Sequence, residues 1–194
     1  MANPFTHKEE EIKTPPALKK KRRYELAVDD EESEIKKLTL EDFEDVISIM
    51  RKAMFEIGMA EAKQIEEILK QGVSYGAYVD RMLVAVGLAW PIAFDRATKT
   101  IGKGTANALY LEDVALLLAY EGRGIREKLV KARENEARAM GLQYVVAIAS
   151  EEVPKEENVI EVIKERGTKI ERVYLDRGYS FFKSKIGLIA FKEV

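Results

Sequence analysis

Apolar residues along the chain change their spacing several times, and each change marks an element. Ile35 to Leu40 reads as a short strand. Thr39 then precedes Glu41 and Asp42 as an N-cap with an acidic first turn, and Phe43, Val46, Ile47, Met50, Ala53, Met54 and Ile57 recur at helical spacing up to Gly58. A shorter helix from Glu61 to Lys70 turns Ile65, Ile68 and Leu69 inward. From Val73 the period becomes that of strands. Val73 to Val79 and Met82 to Trp90 are separated by Asp80 and Arg81, the spacing of an antiparallel hairpin. The second run is apolar throughout, as in a central strand buried on both faces. Pro91 is expected to stop it, and 92–107 reads as a loop containing Gly102 and Gly104.

Ala108 to Leu118 is the next strand, and a tight glycine turn follows it directly. Leu129, Ala132 and Met140 then mark one face of a charged amphipathic helix, with Gly141 placed to cap it. Gln143 to Ser150 is another strand. Val159, Val162 and Ile163 predict an added helix within 151–166, and Ile170, Val173 and Tyr174 a short one that Gly178 ends. Phe181 and Phe182, a turn at Lys183 to Lys185, and Gly187 to Val194 close the chain as a hairpin.

Residues 1–33 show no such period. They carry Pro4, Pro15 and Pro16, the basic run Lys19 to Arg23 and the acidic run Asp29 to Glu32. This composition reads as a charged, solvated N-terminal extension before one globular domain at 34–194. Two alternatives stay open. The basic run would suit a nucleic acid, an acidic partner or nuclear targeting, and Tyr24, Leu26 and Val28 alternate as an edge strand would.

Composition removes several chemistries. The 194 residues contain no Cys, so disulfides, thiolate metal sites and a Cys nucleophile are excluded. His7 is the only histidine, which removes His-based triads and multi-His metal sites; no metal is expected. The 32 basic and 34 acidic residues leave a net charge of −2, with no global field to attract nucleic acid. Runs such as Met82 to Trp90 fall short of the roughly 20 residues of a membrane span, and no apolar leader follows Met1, so a cytoplasmic protein without membrane contact is expected. Abundant Lys and Glu with no Cys are also the composition of proteins from hot environments.

The turn Glu121, Gly122, Arg123, Gly124, Ile125, Arg126 carries the first chemical signal. A strand that turns through glycines into a helix leaves the first helical N–H groups unpaired, where the helix dipole adds partial positive charge. Such a corner binds anions, phosphate above all.

Three stretches in this order resemble the GNAT family of acyl-CoA N-acyltransferases. Leu111 to Leu116 is similar to the family's fourth strand. Tyr120 to Arg126 is similar to its pyrophosphate loop, [RQ]-x-x-G-x-[GA]. Val173 to Tyr179 is similar to its L-Y-x-x-x-G-F ending. The loop departs from the pattern at Glu121 and at Arg126. Gly167, seven residues before Tyr174, stands where the family often has a cofactor-contacting Asn.

The resemblance implies an α/β fold, a mixed and largely antiparallel sheet of six to seven strands flanked by helices. It implies transfer of an acetyl group from acetyl-CoA to a primary amine: a peptide N-terminus, a lysine, a polyamine or a small metabolite. Backbone amides of Gly122, Arg123, Gly124, Ile125, Arg126 and Glu127 would hold the CoA pyrophosphate. Val114, Ala115 and Leu116 would align the thioester arm, and Tyr174 would protonate the departing thiolate. Arg126 would pair with a cofactor phosphate, while Glu121 would weaken binding unless it turned outward or paired with Arg123 or Arg126. Glu112, sharing strand parity with Val114 and Leu116, is the candidate base for the acceptor ammonium, with Glu151 and Glu152 as alternatives. The 151–166 segment would set substrate choice or an oligomer contact such as a homodimer. The rival reading is a non-catalytic GNAT-fold module, structural or nucleic-acid-associated, working through its basic arm.

Overall fold

The computed structural model describes residues 32–53, 57–102 and 104–194. The basic run 19–23, the candidate strand at 24–28 and His7 lie outside them, as does Met54 of the first helical stripe.

Among the described residues ten strands form two sheets, which enlarges the expected single sheet while keeping its mixed, largely antiparallel character. The first sheet contains β1 (Glu34–Lys37), β2 (Tyr75–Val79), β3 (Met82–Gly87) and β7 (Ala115–Leu116), in that order. The second contains β4 (Ala89–Asp95), β5 (Thr100–Gly102), β6 (Ala108–Leu111), β8 (Tyr144–Ser150), β9 (Ser180–Ser184) and β10 (Gly187–Glu193), in the order β5-β4-β6-β8-β10-β9. Among the described residues only the pair β6 and β8 is parallel, with Leu109 opposite Val145. The hairpin between β2 and β3 turns at Asp80 and Arg81 with φ of 48° and 66°, the positive pair that a tight two-residue turn needs.

Two long runs that read as single strands are each cut in two. Met82 to Trp90 breaks at Leu88, and Ala108 to Leu118 breaks at 112–114. At both breaks the chain leaves one sheet for the other, a bend that side-chain alternation does not announce. The breaks are adjacent, since Glu112 N–H donates to Leu88 O at 3.1 Å. Residues 118–120 form a short 3-10 turn and not strand.

Pro91 does not stop its strand but lies within β4, opposite Leu109. Ile92 O accepts from Asn107 N–H on the β6 side, so Pro91 turns its missing donor to the other side, where β5 pairs only from Ala93 onward. The expected 92–107 loop therefore contains the end of β4 and all of β5. The Asn107 side chain accepts from Phe94 N–H at 2.7 Å and donates to Phe94 O at 2.9 Å.

Among the described residues five helices flank the sheets. A 3-10 turn at Leu40–Asp42, capped by Thr39, leads into α1 (Phe43–Ala53), and α2 (Met59–Leu69) follows. Val46, Ile49, Met50, Ile65 and Leu69 from these two pack on Leu83 and Val86 of β3. On the opposite side α3 (Ile125–Ala139) places Ile125 and Leu129 against Val84, Ala85, Val114 and Leu116, and Val130 and Ala137 against Leu109, Val145 and Ala147. It thus spans both sheets. Its buried stripe is Ile125, Leu129, Val130, Arg133, Glu134 and Ala137, whereas Met140, expected inward, is exposed. Gly141, at φ 70°, ends the helix as predicted.

Helices α4 (Val159–Arg166) and α5 (Lys169–Asp176) complete the set. Residues Ile170, Val173 and Tyr174 of α5 join the core beside Leu109, Leu111 and Ala149. The far face of the six-stranded sheet curls until it fills itself: Phe94 of β4 lies 6.1 Å from Phe182 of β9 and 5.5 Å from Phe191 of β10, ring centre to ring centre. No described helix is long and apolar enough to cross a membrane.

Candidate acyl-transfer site

Three elements converge where β6 and β7 part: the glycine turn with the start of α3, the outer edge of β7, and α5. Gly122 (φ 81°) and Gly124 (φ 70°) take left-handed conformations, strained for other residues, and this turns the chain sharply into α3. Gly124 is the N-cap and offers no side-chain acceptor, so no side chain caps the first amides of α3. Ile125, 1% exposed, anchors the turn to the core. Glu127 lies in the first turn of the helix, and the Arg123 guanidinium sits 4.8 Å from the Tyr120 ring centre.

The edge of β7 supplies backbone polar groups. Leu117 N–H donates to Val84 O, so Leu116 between the bonded positions points its own N–H and C=O away from β3, to the open side. Ala115 faces β3, opposite Val86. Val114 O already has a partner, since Arg126 Nη1 donates to it at 2.8 Å.

The two departures from the loop pattern are each other's partners. Arg126 Nη2 donates to Glu121 Oε1 at 2.8 Å, and Lys169 Nζ at the start of α5 reaches Glu121 Oε2 at 3.2 Å. Arg126 Nη1 also lies 3.4 Å from Asp113 Oδ1. The Arg126 bond, with Lys169 adding to it, holds the Glu121 carboxyl below the usual carboxylate range. A chain of charges therefore links the β7 edge, the glycine turn and α5.

Glu112 and Tyr174 stand further in. Glu112 is half-buried at the bend, where its strand ends, so it does not share the parity with Val114 and Leu116 expected of one continuous strand. Its Oε1 accepts from Asp113 N–H at 3.2 Å, and burial pushes its carboxyl above the ordinary range. Asp113 is exposed and caps Val114 N–H. Tyr174 is 1% exposed, and its hydroxyl has no hydrogen-bond partner. Its ring packs 4.8 Å from that of Tyr179, and burial raises the phenol well above its ordinary value, with the Arg133 charge opposing. Glu151 and Glu152, at the far end of β8, are exposed.

Periodicity and motif did not reveal Arg133 of α3. At 0% exposure it donates from Nη1 to Leu88 O at 2.8 Å and Glu112 O at 2.7 Å, and from Nε to Leu129 O at 3.2 Å. It thereby ties together the carbonyls at the two points where the strands change sheets, adding a second donor to Leu88 O. The signal was present, because Ile125, Leu129, Arg133 and Ala137 recur every four residues and Arg133 occupies a core position in that row. Glu134 beside it, 1% exposed, pairs with Arg177 and lies 3.6 Å from Lys192, fastening the end of α5 and β10 to α3.

Gly167 has a steric reason. It ends α4, and a Cβ there would lie 2.4 Å from Ile163 O, so no Asn fits. It lines a cavity of about 410 Å³ with Ser150, Glu152, Val162, Arg166 and Glu171, between the end of β8 and helices α4 and α5.

A CoA molecule fits this arrangement on three counts: the uncapped amides behind two left-handed glycines, the open edge at Leu116, and the unpartnered Tyr174 hydroxyl. Arg126 and Glu121 must part to free Val114 O.

The model of the acetyltransferase (GNAT) domain family matches residues 34–154. The loading GNATL domain of CurA from Lyngbya majuscula is 14% identical, with 83% of this chain and 97% of that one covered and a TM-score of 0.64. The polyamine N-acetyltransferase of Drosophila melanogaster is 11% identical, covers 84% of this chain and 100% of its own, and gives 0.60. The PaiA N-acetyltransferase of Thermoplasma acidophilum, in complex with coenzyme A, is 15% identical, with coverages of 84% and 99% and a TM-score of 0.57. No curated protein sequence matches the chain. The structural likeness establishes the fold. The family match covers more than half of the chain, β1 through β8 with the glycine turn, and so the chain belongs to the GNAT acetyltransferase family.

Proposed function

We propose that the protein transfers an acetyl group from acetyl-CoA to a primary amine by direct attack. One observation carries this reading: an uncapped helix N-terminus behind Gly122 and Gly124 opens beside a free strand edge, with an unpartnered buried phenol on the neighbouring α5. Bound there, acetyl-CoA would supply the activated thioester. Amides of residues 122–127 would hold the pyrophosphate, and the backbone at Val114 to Leu116 would align the arm. The acceptor nitrogen forms its bond to the acetyl carbon as the carbon–sulfur bond breaks. Tyr174 would give its phenolic proton to the sulfur, and its raised pKa keeps that proton in place at neutral pH. Glu112 would take a proton from the acceptor ammonium, directly or through water, and its raised pKa makes it a better base than an exposed carboxylate. The cavity beside Ser150 and Gly167 would receive part of the acceptor, with α4 setting its size.

Calorimetric titration with acetyl-CoA, followed by thiol release across a panel of peptide, lysine, polyamine and small amines, tests the reading. Binding at micromolar to millimolar concentration and release with at least one amine are expected; no heat at about millimolar cofactor contradicts it. A second reading, a non-catalytic GNAT-fold module, is favoured by Arg126 occupying Val114 O and by Glu121 in the loop. It predicts poor binding or none, and salt-dependent nucleic-acid retention that is lost on deleting residues 1–33.

A further inference from the structure

Arg133 carries a buried positive charge that acetyl transfer, as described, does not use. No carboxylate pairs with it among the described residues, all its hydrogen bonds run to backbone carbonyls, and Nη2 has no partner. A cation held away from water without a counter-ion is costly and calls for an explanation. A second buried polar atom without a partner is the hydroxyl of Tyr174, while the Tyr179 hydroxyl interacts with Glu134. The titratable groups whose charge acts on the guanidinium are Tyr174 and Tyr179, on and after α5, and Asp113 and Glu112 at the strand bend, where Nη1 holds the Glu112 carbonyl at 2.7 Å. Its seat is close-fitting as well, for a Cβ on Gly87 would lie 3.0 Å from the Arg133 Cζ and Nε.

We propose that Arg133 is a positioning residue of the acyl-transfer site: its Nη1 fixes the bend that carries Glu112, and its unpaired charge stabilises the negative oxygen that Tyr174 acquires on giving up its proton. The inference rests on the acetyl-transfer reading. It adds that the rate depends on a charge that never touches substrate and acts through Tyr174.

Arg133→Lys separates charge from structure. A guanidinium stays protonated throughout, whereas a buried ammonium loses its proton below the ordinary lysine value of about 10.4. The variant is expected to retain transfer at the acidic end of its range and to lose kcat as pH rises. That basic limb should be absent from the parent, acetyl-CoA KM should stay within about threefold, and circular dichroism should report the same fold at each pH. In a Tyr174→Phe background the limb should vanish, because the charge then has no phenol to act on. Arg133→Gln, which keeps donors for the two carbonyls, should lower kcat about a hundredfold at unchanged KM. A parental pH profile in folded Arg133→Lys, a parental kcat in folded Arg133→Gln, or a limb that persists in the Tyr174→Phe background overturns the proposal and leaves the acetyl-transfer reading standing. Failure of both variants to fold assigns Arg133 to the frame alone and overturns it too. A parent chain that binds no acetyl-CoA and acetylates no amine overturns the reading itself, and the inference with it.

Discussion

Arg126 and Arg133 stand seven residues apart on one face of α3, close to two helical turns, and they satisfy their guanidinium groups in opposite ways. Arg126 lies at the mouth of the site, part-exposed, with Glu121 and Asp113 as carboxylate partners and Val114 O as a carbonyl partner. Arg133 lies in the interior with carbonyl partners only. The mouth is a set of exchangeable contacts, since each charge there can reach water or a ligand phosphate once its partner moves. The interior has no such exchange, because moving Arg133 would break its bonds to the carbonyls of both strand bends and leave a buried charge without partners. One helix therefore joins an adjustable entrance to a fixed floor, and the residues proposed for chemistry, Glu112 and Tyr174, belong to the floor.

Changes at the floor should be larger than changes at the mouth. Glu112→Gln is expected to lower transfer about a hundredfold while raising the melting temperature at pH 7. The sign follows from its raised pKa: the stability it contributes is present below the ordinary carboxylate value of about 4.3 and lost as pH rises through the folded value, so at pH 7 the charged form works against folding. Equal stability in the two proteins at pH 7 would remove burial as the cause. Gly87→Ala crowds a guanidinium held by three bonds, and a loss of about 1–3 kcal/mol in denaturant unfolding is expected; an unchanged midpoint would show that Arg133 can move after all.

At the mouth, Glu121→Gln removes an anion beside the proposed phosphate site and frees Arg126. Calorimetry should give tighter acetyl-CoA binding by about fivefold, and weaker binding would make Glu121 a support of the loop and not an obstacle in it. The smallest effect is the pH response of that ion pair. The lowered Glu121 pKa makes its contribution present above about pH 4.3 and lost as pH falls through the folded value. The stability difference between parent and Glu121→Gln should therefore stay flat from about pH 7 to 5 and fade below. A difference that is already fading at pH 6 contradicts the pairing.

The helices, the hairpin at Asp80 and the glycine turn were legible because each rests on local spacing or local backbone sign. What sequence could not show was where a strand changes sheets. Leu88 and Glu112 look like ordinary strand positions, and only the pairing of the strands into two sheets reveals the bends. Pro91 misled for a related reason, since its cost depends on which neighbour its missing donor faces. At the site, the loop motif located the glycine turn that opens α3, and Glu121 and Arg126, read singly as departures from a pattern, prove to be one ion pair. Gly167 read as a lost contact, yet Ile163 O leaves no room for any side chain there. Arg133 was passed over because a charged residue in an apolar row is ordinarily taken for the solvated side of the helix.

The most direct test is thiol release by Tyr174→Phe against the parent, at saturating acetyl-CoA and a fixed amine. The substitution removes only a hydroxyl that has no partner, so folding and cofactor affinity should be unchanged while kcat falls by about a hundredfold or more. A folded Tyr174→Phe that binds acetyl-CoA and turns over at the parental rate would contradict the role of Tyr174 as the acid.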